Sequence, residues 1–300
     1  MKENIINKKI RWLEITNPSK KEIQQIQNQF RIHPLISDEL LAPSDRAKIE
    51  TYDNYVFIVY HLPIYNIPEQ TSRRAEIDII ATKEVLITVT YETLEPVKQF
   101  GRDLEKRALK NIKSTAELIY YLLEEVNDFS LRQLKHVEKK VHYIGEQLFK
   151  RLDRKLLEDI SRIKRDILDF SIIAASQRTS LESLSAKGLL FWGREMYVYF
   201  SDLLGDFLKV HYLLENLRAT VESYSQTVSQ LFGFKTSEII RRFSILGFLT
   251  FPLILYATIA LQPTVEKTFI HNPADFWFIF GLILIIVIGL ALIFKKKGWL

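Results

Sequence analysis

No cysteine occurs among the 300 residues, which excludes disulfides and thiolate metal sites and fits a reducing compartment. Glycine is sparse and its ten copies are scattered, so there is no glycine-rich loop to cradle a phosphate; no His-Glu-x-x-His motif occurs either. Proline is absent from the whole interval between Pro96 and Pro252. So long a stretch without the residue that breaks helices reads as helical territory. The first forty residues lack the apolar core of roughly 7 to 15 residues that a signal peptide needs, so the chain before Arg241 is expected to stay in the cytoplasm.

Two stretches lack charge altogether, residues 243–261 and 276–294, 19 residues each. At about 1.5 Å per residue each spans roughly 28 Å, close to the hydrocarbon thickness of a bilayer, whereas a buried helix of a soluble protein seldom stays uncharged so long. Arg241 and Arg242 precede the first run and Lys295, Lys296 and Lys297 follow the second, which places both termini on the cytoplasmic side of an inner membrane. Trp277 and Trp299 suit the two interfaces. Those five basic residues also account for the net charge of +5, so no nucleic-acid partner is expected; the lipid bilayer is the partner instead.

Before the first run the chain has two textures. Up to residue 112, short β-rich runs at 10–15, 55–62, 77–81 and 85–91 alternate with turn-forming clusters, and residues 20–30 have helical spacing. The reading is an α+β fold with a cytoplasmic α/β domain at 1–112 and a long-helix bundle and stalk at 113–240. Transmembrane helices at 241–262 and 276–294 follow, joined by an external loop at 263–275 and ending in a basic tail at 295–300. From Phe129 to Phe170 apolar residues recur at intervals of three or four, predicting one long helix in a bundle. The stretch from Leu184 to Gly193 is the expected reversal before a final helix that starts near Met196 and runs into the membrane. A single hairpin cannot enclose a pore, so conduction requires a homo-oligomer.

These residues carry a resemblance that covers nearly the whole chain. Trp12, His33-Pro34-Leu35, Asp38, Arg46, Lys48, Glu50, Tyr52 and Tyr55 are similar to the opening domain of the CorA family of divalent-cation transporters. The run from Leu118 to Phe149 resembles that family's long helix, Tyr199 to Asp202 and Leu214 to Arg218 its stalk, and Lys295 to Leu300 its basic ending. The resemblance implies a funnel-shaped homopentamer whose first membrane helix lines a central pore and whose second faces lipid. The transported or regulatory ion it implies is divalent, Mg²⁺ foremost or Co²⁺, Ni²⁺ or Zn²⁺; no organic cofactor and no enzymatic residues are expected. The family signature Gly-Met-Asn is missing. A gapless fit on Pro252 puts Leu261, Gln262 and Pro263 there, so only Gln262 offers an amide to the water shell of an ion that dehydrates reluctantly.

The same fit turns Ser237, Ile240, Phe243, Gly247, Phe251, Ile254, Thr258 and Leu261 toward the pore axis, where rings of Ile240, Phe243 and Phe251 would gate by dewetting. Packing is the plainer use of such a stripe. Arg241 and Arg242 read as headgroup anchors, or as a cation barrier if they face inward. Glu266 and His271 are the loop residues suited to a first encounter with a cation. The other histidines, His33, His61, His136, His142 and His211, read as structural or solvated. Acidic clusters such as Glu124, Glu125 and Asp128 are candidates for divalent ions between subunits, without an assigned regulatory aspartate. The alternative to a transporter is a membrane effector on the same scaffold, or a nonselective channel opened by a cytoplasmic ligand.

Overall fold

A computed structural model describes residues 1–6, 9–66, 68–69, 71–106, 112–260 and 273–298. They form two compact units, Met1–Ser225 and Gln226–Leu300.

The first unit is built on a six-stranded mixed sheet of β1 (Lys2–Ile5), β2 (Arg11–Thr16), β3 (Lys48–Thr51), β4 (Val56–Asn66), β5 (Thr71–Ala81) and β6 (Val85–Thr90). Their spatial order is β1-β2-β6-β5-β4-β3. Only β2 and β6 run parallel, Ile15 lying opposite Val89; the remaining neighbours are antiparallel. The helix read at 20–30 is α1 (Lys20–Phe30). Ser19 caps it, accepting from Glu22 N, while the Glu22 carboxylate returns to the Ser19 amide. The amino terminus and these Ser19 bonds hold the Glu22 carboxyl down at about 2. With α2 (Pro34–Glu39), α1 covers one sheet face, packing Ile23, Ile26 and Ile36 on Leu13, Ile15, Phe57, Val59 and Val89.

Alternate strand residues point the other way. There the Trp12 ring meets Phe100 of α3 (Glu95–Glu105) edge to face, and its indole N–H donates to Thr88 Oγ1. α4 (Thr115–Gln147) and α5 (Arg154–Trp192) cross the same side. Asp166 of α5, fully buried, fixes this layer: one carboxylate oxygen accepts from the Ser72 amide at 2.7 Å and hydroxyl at 2.8 Å, the other from Lys140 Nζ at 3.1 Å.

Two expectations about the helices are corrected. The stripe from Phe129 to Phe170 is not one helix: α4 stops at Gln147 and α5 starts at Arg154, capped by Asp153 accepting from Leu156 N. The interval persists across the turn because Leu148 closes the buried stripe of α4 and Leu156 opens that of α5. Nor does the chain reverse from Leu184 onward. α5 continues to Trp192, and Gly188 lies within it because a Cβ there would come 2.7 Å from the Phe200 ring. The reversal is confined to Gly193, at φ 108° and ψ 163°, a backbone open essentially to glycine. A short 3₁₀ turn (Arg194–Met196) leads into α6 (Tyr197–Ala260). Within the first unit α6 buries Phe200, Leu203, Phe207, Val210, Leu214 and Leu217.

Three of the histidines make structural contacts. His33 Nδ1 caps α2, His136 stacks on Tyr65, and His61 is buried between Ser176 Oγ on one ring nitrogen and the Ser44 carbonyl and Glu76 on the other. His142 is exposed. His271 lies outside the described residues.

Candidate functional site

The second unit holds the two apolar runs. α6 carries the first, and the second forms α7 (Pro273–Lys296), uncharged from Phe276 to Phe294. Asp275 in the first turn of α7 and Lys295 and Lys296 in the last oppose the helix dipole correctly, and the lysines also sit where a chain leaves a bilayer. Both threonines of the α6 run are satisfied locally. Thr250 donates to the Leu246 carbonyl at 3.0 Å and Thr258 to the Ile254 carbonyl at 2.8 Å, so neither brings an open hydroxyl into hydrocarbon. Pro252 sits inside the helix and removes one backbone donor there.

Successive helical residues turn by about 100°, which separates two faces of α6. Ile245, Leu249, Pro252 and Tyr256 follow one another at steps of four, three and four on one face; Ile245 and Tyr256 are 3% and 8% exposed, the other two half-buried. Tyr256 shows what covers that face: its hydroxyl donates to the Phe276 carbonyl of α7 at 2.7 Å, and its ring lies against Phe276 and Phe280. Ile240, Phe243, Gly247, Phe251, Ile254 and Thr258 fall on the opposite face. All are exposed, Phe243 by 70% and Phe251 by 65%. Ser237 is exposed too. Leu261, Gln262, Pro263, Glu266 and His271 lie outside the described residues.

Just before the apolar run of α6, Arg242 pairs with Glu238 one turn earlier at 2.6 Å, and Arg241 is exposed. In the first unit, the acidic residues singled out from sequence meet part of α6. Tyr120 donates to Asp202 at 2.8 Å, and burial, then the charges of Asp128 and Asp206, push the Glu124 carboxyl up. Among the described residues no cluster of three or more His, Asp or Glu within one chain is arranged to hold a metal ion. Sequence reasoning missed Tyr256, and it named Asp202 within the stalk without foreseeing its contact with Tyr120. A phenol inside an apolar run, on the side away from the predicted pore stripe, was the available signal for Tyr256.

A mixed-sheet domain, a long helix and a hairpin of two helices long and apolar enough to cross a membrane define the class. Residues 7–296 match the family described as CorA-like Mg²⁺ transporter protein, and the chain belongs to that family. It is similar to the cobalt/magnesium transport protein CorA of Thermotoga maritima, at 22% identity over 96% of this chain and 83% of that protein. The complete structure of the CorA magnesium transporter from Methanocaldococcus jannaschii shares the fold at a TM-score of 0.83 and 18% identity, covering 97% of this chain and 92% of that one. The full-length CmaX protein shares it at a TM-score of 0.70 and 16% identity, covering 97% and 89% of the respective chains.

Proposed function

We propose that this chain assembles as a homopentamer in the inner membrane, both termini cytoplasmic, and conducts divalent metal cations through a pore lined by α6. Mg²⁺ and Co²⁺ are the first candidates, following the relatives, with Ni²⁺ and Zn²⁺ beside them. The observation that carries this reading is the division of α6 into a face covered by α7 and an opposite face that one chain leaves bare. Copies ringed with that face inward would surround an axis with Phe243, Phe251 and Ile254, an apolar constriction that closes by dewetting, relieved by Gly247 and Thr258.

Ion choice is assigned to the amide of Gln262, which stands beside the place of the missing signature asparagine and would act on the hydrated ion. Glu266 and His271 would meet the cation first. Acidic residues such as Glu124, Glu125 and Asp128 are candidates for binding a divalent ion between subunits, with no regulatory aspartate assigned.

Flux into proteoliposomes tests the reading, comparing Mg²⁺, Co²⁺, Zn²⁺ and a monovalent control for the parent and Gln262→Ala. Divalent uptake that falls in the variant supports an amide-selected pore. Absence of flux for every ion refutes a constitutive transporter and leaves the effector gated by a cytoplasmic ligand.

A further inference from the structure

Pro252 weakens α6 within the membrane run. With no N–H to give to the Phe248 carbonyl, it removes one bond of the ladder and makes a bend easiest at that point. A bend there redirects everything beyond it, including Ile254 and Thr258, unless a second attachment resists it. The described residues contain one four positions on. Tyr256 is 8% exposed where its neighbours 254, 255, 257, 258 and 259 are all exposed, and its hydroxyl reaches the Phe276 carbonyl in the first turn of α7 at 2.7 Å. A phenol in hydrocarbon has no water to bond, so this carbonyl, which keeps a spare lone pair beside its helical bond, is a strongly preferred partner.

Residues two before and two after Tyr256 lie about 200° away around the helix, so a tether at 256 faces 254 and 258 directly away from α7. We propose that Tyr256 is a positioning residue: its hydrogen bond to Phe276 sets the rotation of the α6 segment beyond Pro252, holding Ile254 and Thr258 on the pore side. The role rests on the pore reading only for the word pore; the rotational setting itself is a property of the hairpin. Ring packing on Phe276 and Phe280 resists separation of the helices, whereas the directional hydroxyl bond resists sliding and rotation.

The absence of cysteine makes the test free of background labelling. Single cysteines are placed at positions 253–259 other than 256, in the parent and in Tyr256→Phe. The full-length protein in liposomes is then treated with a water-soluble and a lipid-soluble thiol reagent. In the parent, positions 254 and 258 are expected to react with the water-soluble reagent. In Tyr256→Phe their rates fall by about three- to tenfold, the range one interhelical hydrogen bond in a bilayer supports, while 255 and 259 gain. Oligomer size on chromatography stays unchanged, and the ratio of divalent to monovalent flux drops. Identical labelling in parent and variant overturns the proposal. Failure of the pore reading gives a different result, with 254 and 258 reached only by the lipid-soluble reagent, and the angular shift on removing the hydroxyl still decides the role of Tyr256.

Discussion

Replacing Asp166 by alanine should loosen the first unit, Met1–Ser225, more than any nearby surface change. Its carboxylate accepts from the buried Ser72 amide, the Ser72 hydroxyl and Lys140, and so joins α5 to β5 and α4. Each hydrogen bond to a charged group is worth about 1.5–3 kcal/mol, and a buried donor left unpaired costs about 1–3 kcal/mol. Lys140 is 28% exposed and can rehydrate, so the loss concentrates on the two Ser72 donors. Two such donors left unpaired give an expected total of about 2–6 kcal/mol. That corresponds to a fall in melting temperature on the order of 10 °C. Thermal unfolding of the detergent-solubilised protein, followed by the fluorescence of buried Trp12 and its companions, measures it. Asp166→Asn is the control: its amide oxygen can still accept from both Ser72 donors while the buried charge is removed, so it should cost markedly less. A loss below about 1 kcal/mol for Asp166→Ala, or equal losses for the two variants, would refute the claim that Ser72 carries the energy.

Asp78 is buried, and burial followed by the charge of Glu76 raises its carboxyl well above the usual range; Tyr91 donates to Oδ2 at 2.5 Å, while Oδ1 has no partner among the described residues. The folded state therefore keeps a proton that the unfolded chain releases near pH 4, so this group makes stability fall as pH rises above that value. Asp78→Asn, a fixed mimic of the protonated form, should flatten that slope and leave the protein more stable than the parent at pH 7, as read by melting temperature from pH 4.5 to 8. Gly193→Ala should cost about 1–3 kcal/mol, because φ 108° with ψ 163° is closed to residues bearing a Cβ; a melting temperature equal to the parent's would sink that account. Phe251→Ser should raise ion leak by about tenfold, equivalent to about 1.4 kcal/mol off the barrier, if an apolar ring there excludes water; unchanged leak would remove Phe251 from the constriction.

The parts of the fold legible in the sequence are those whose own residues decide them. Lys20–Phe30 announces itself by Ser19 and Glu22 at capping distance and by Ile23 and Ile26 on one side; four strands announce themselves by β-branched runs. β1 and β3 were not legible, since each has four residues of mixed polarity, KENI and KIET, and gains its conformation by lying along an edge of the sheet. The turn between α4 and α5 hid because two antiparallel helices facing one core reproduce the spacing of a single helix through Leu148, Leu152 and Leu156. Gly188 misled for a related reason: glycine signals either a turn or a close approach, and only the Phe200 ring tells which. In the membrane unit the phase of the stripe was readable, yet a stripe has no inherent direction. That the face with Ile245 and Tyr256 is the covered one follows from α7, and Tyr256 bonds a backbone carbonyl 20 residues away that leaves no trace in side-chain pattern.

The two faces of α6 answer to different physics, which gives the proposed function a signature beyond any single variant. Loss of volume on the covered face, at Ile245, Leu249 or Tyr256, removes contacts that hold the hairpin and should be felt as weaker assembly. On the bare face, at Phe243, Phe251 or Ile254, an apolar side chain that met only lipid could be exchanged for another apolar one with little effect of any kind. A face that borders a narrow axis cannot be so indifferent, because every copy contributes its side chain to the same cross-section and a change in one sequence position is multiplied around the ring. Sensitivity of conduction to apolar exchanges on the bare face, with assembly intact, is therefore what separates a pore wall from a lipid-facing surface.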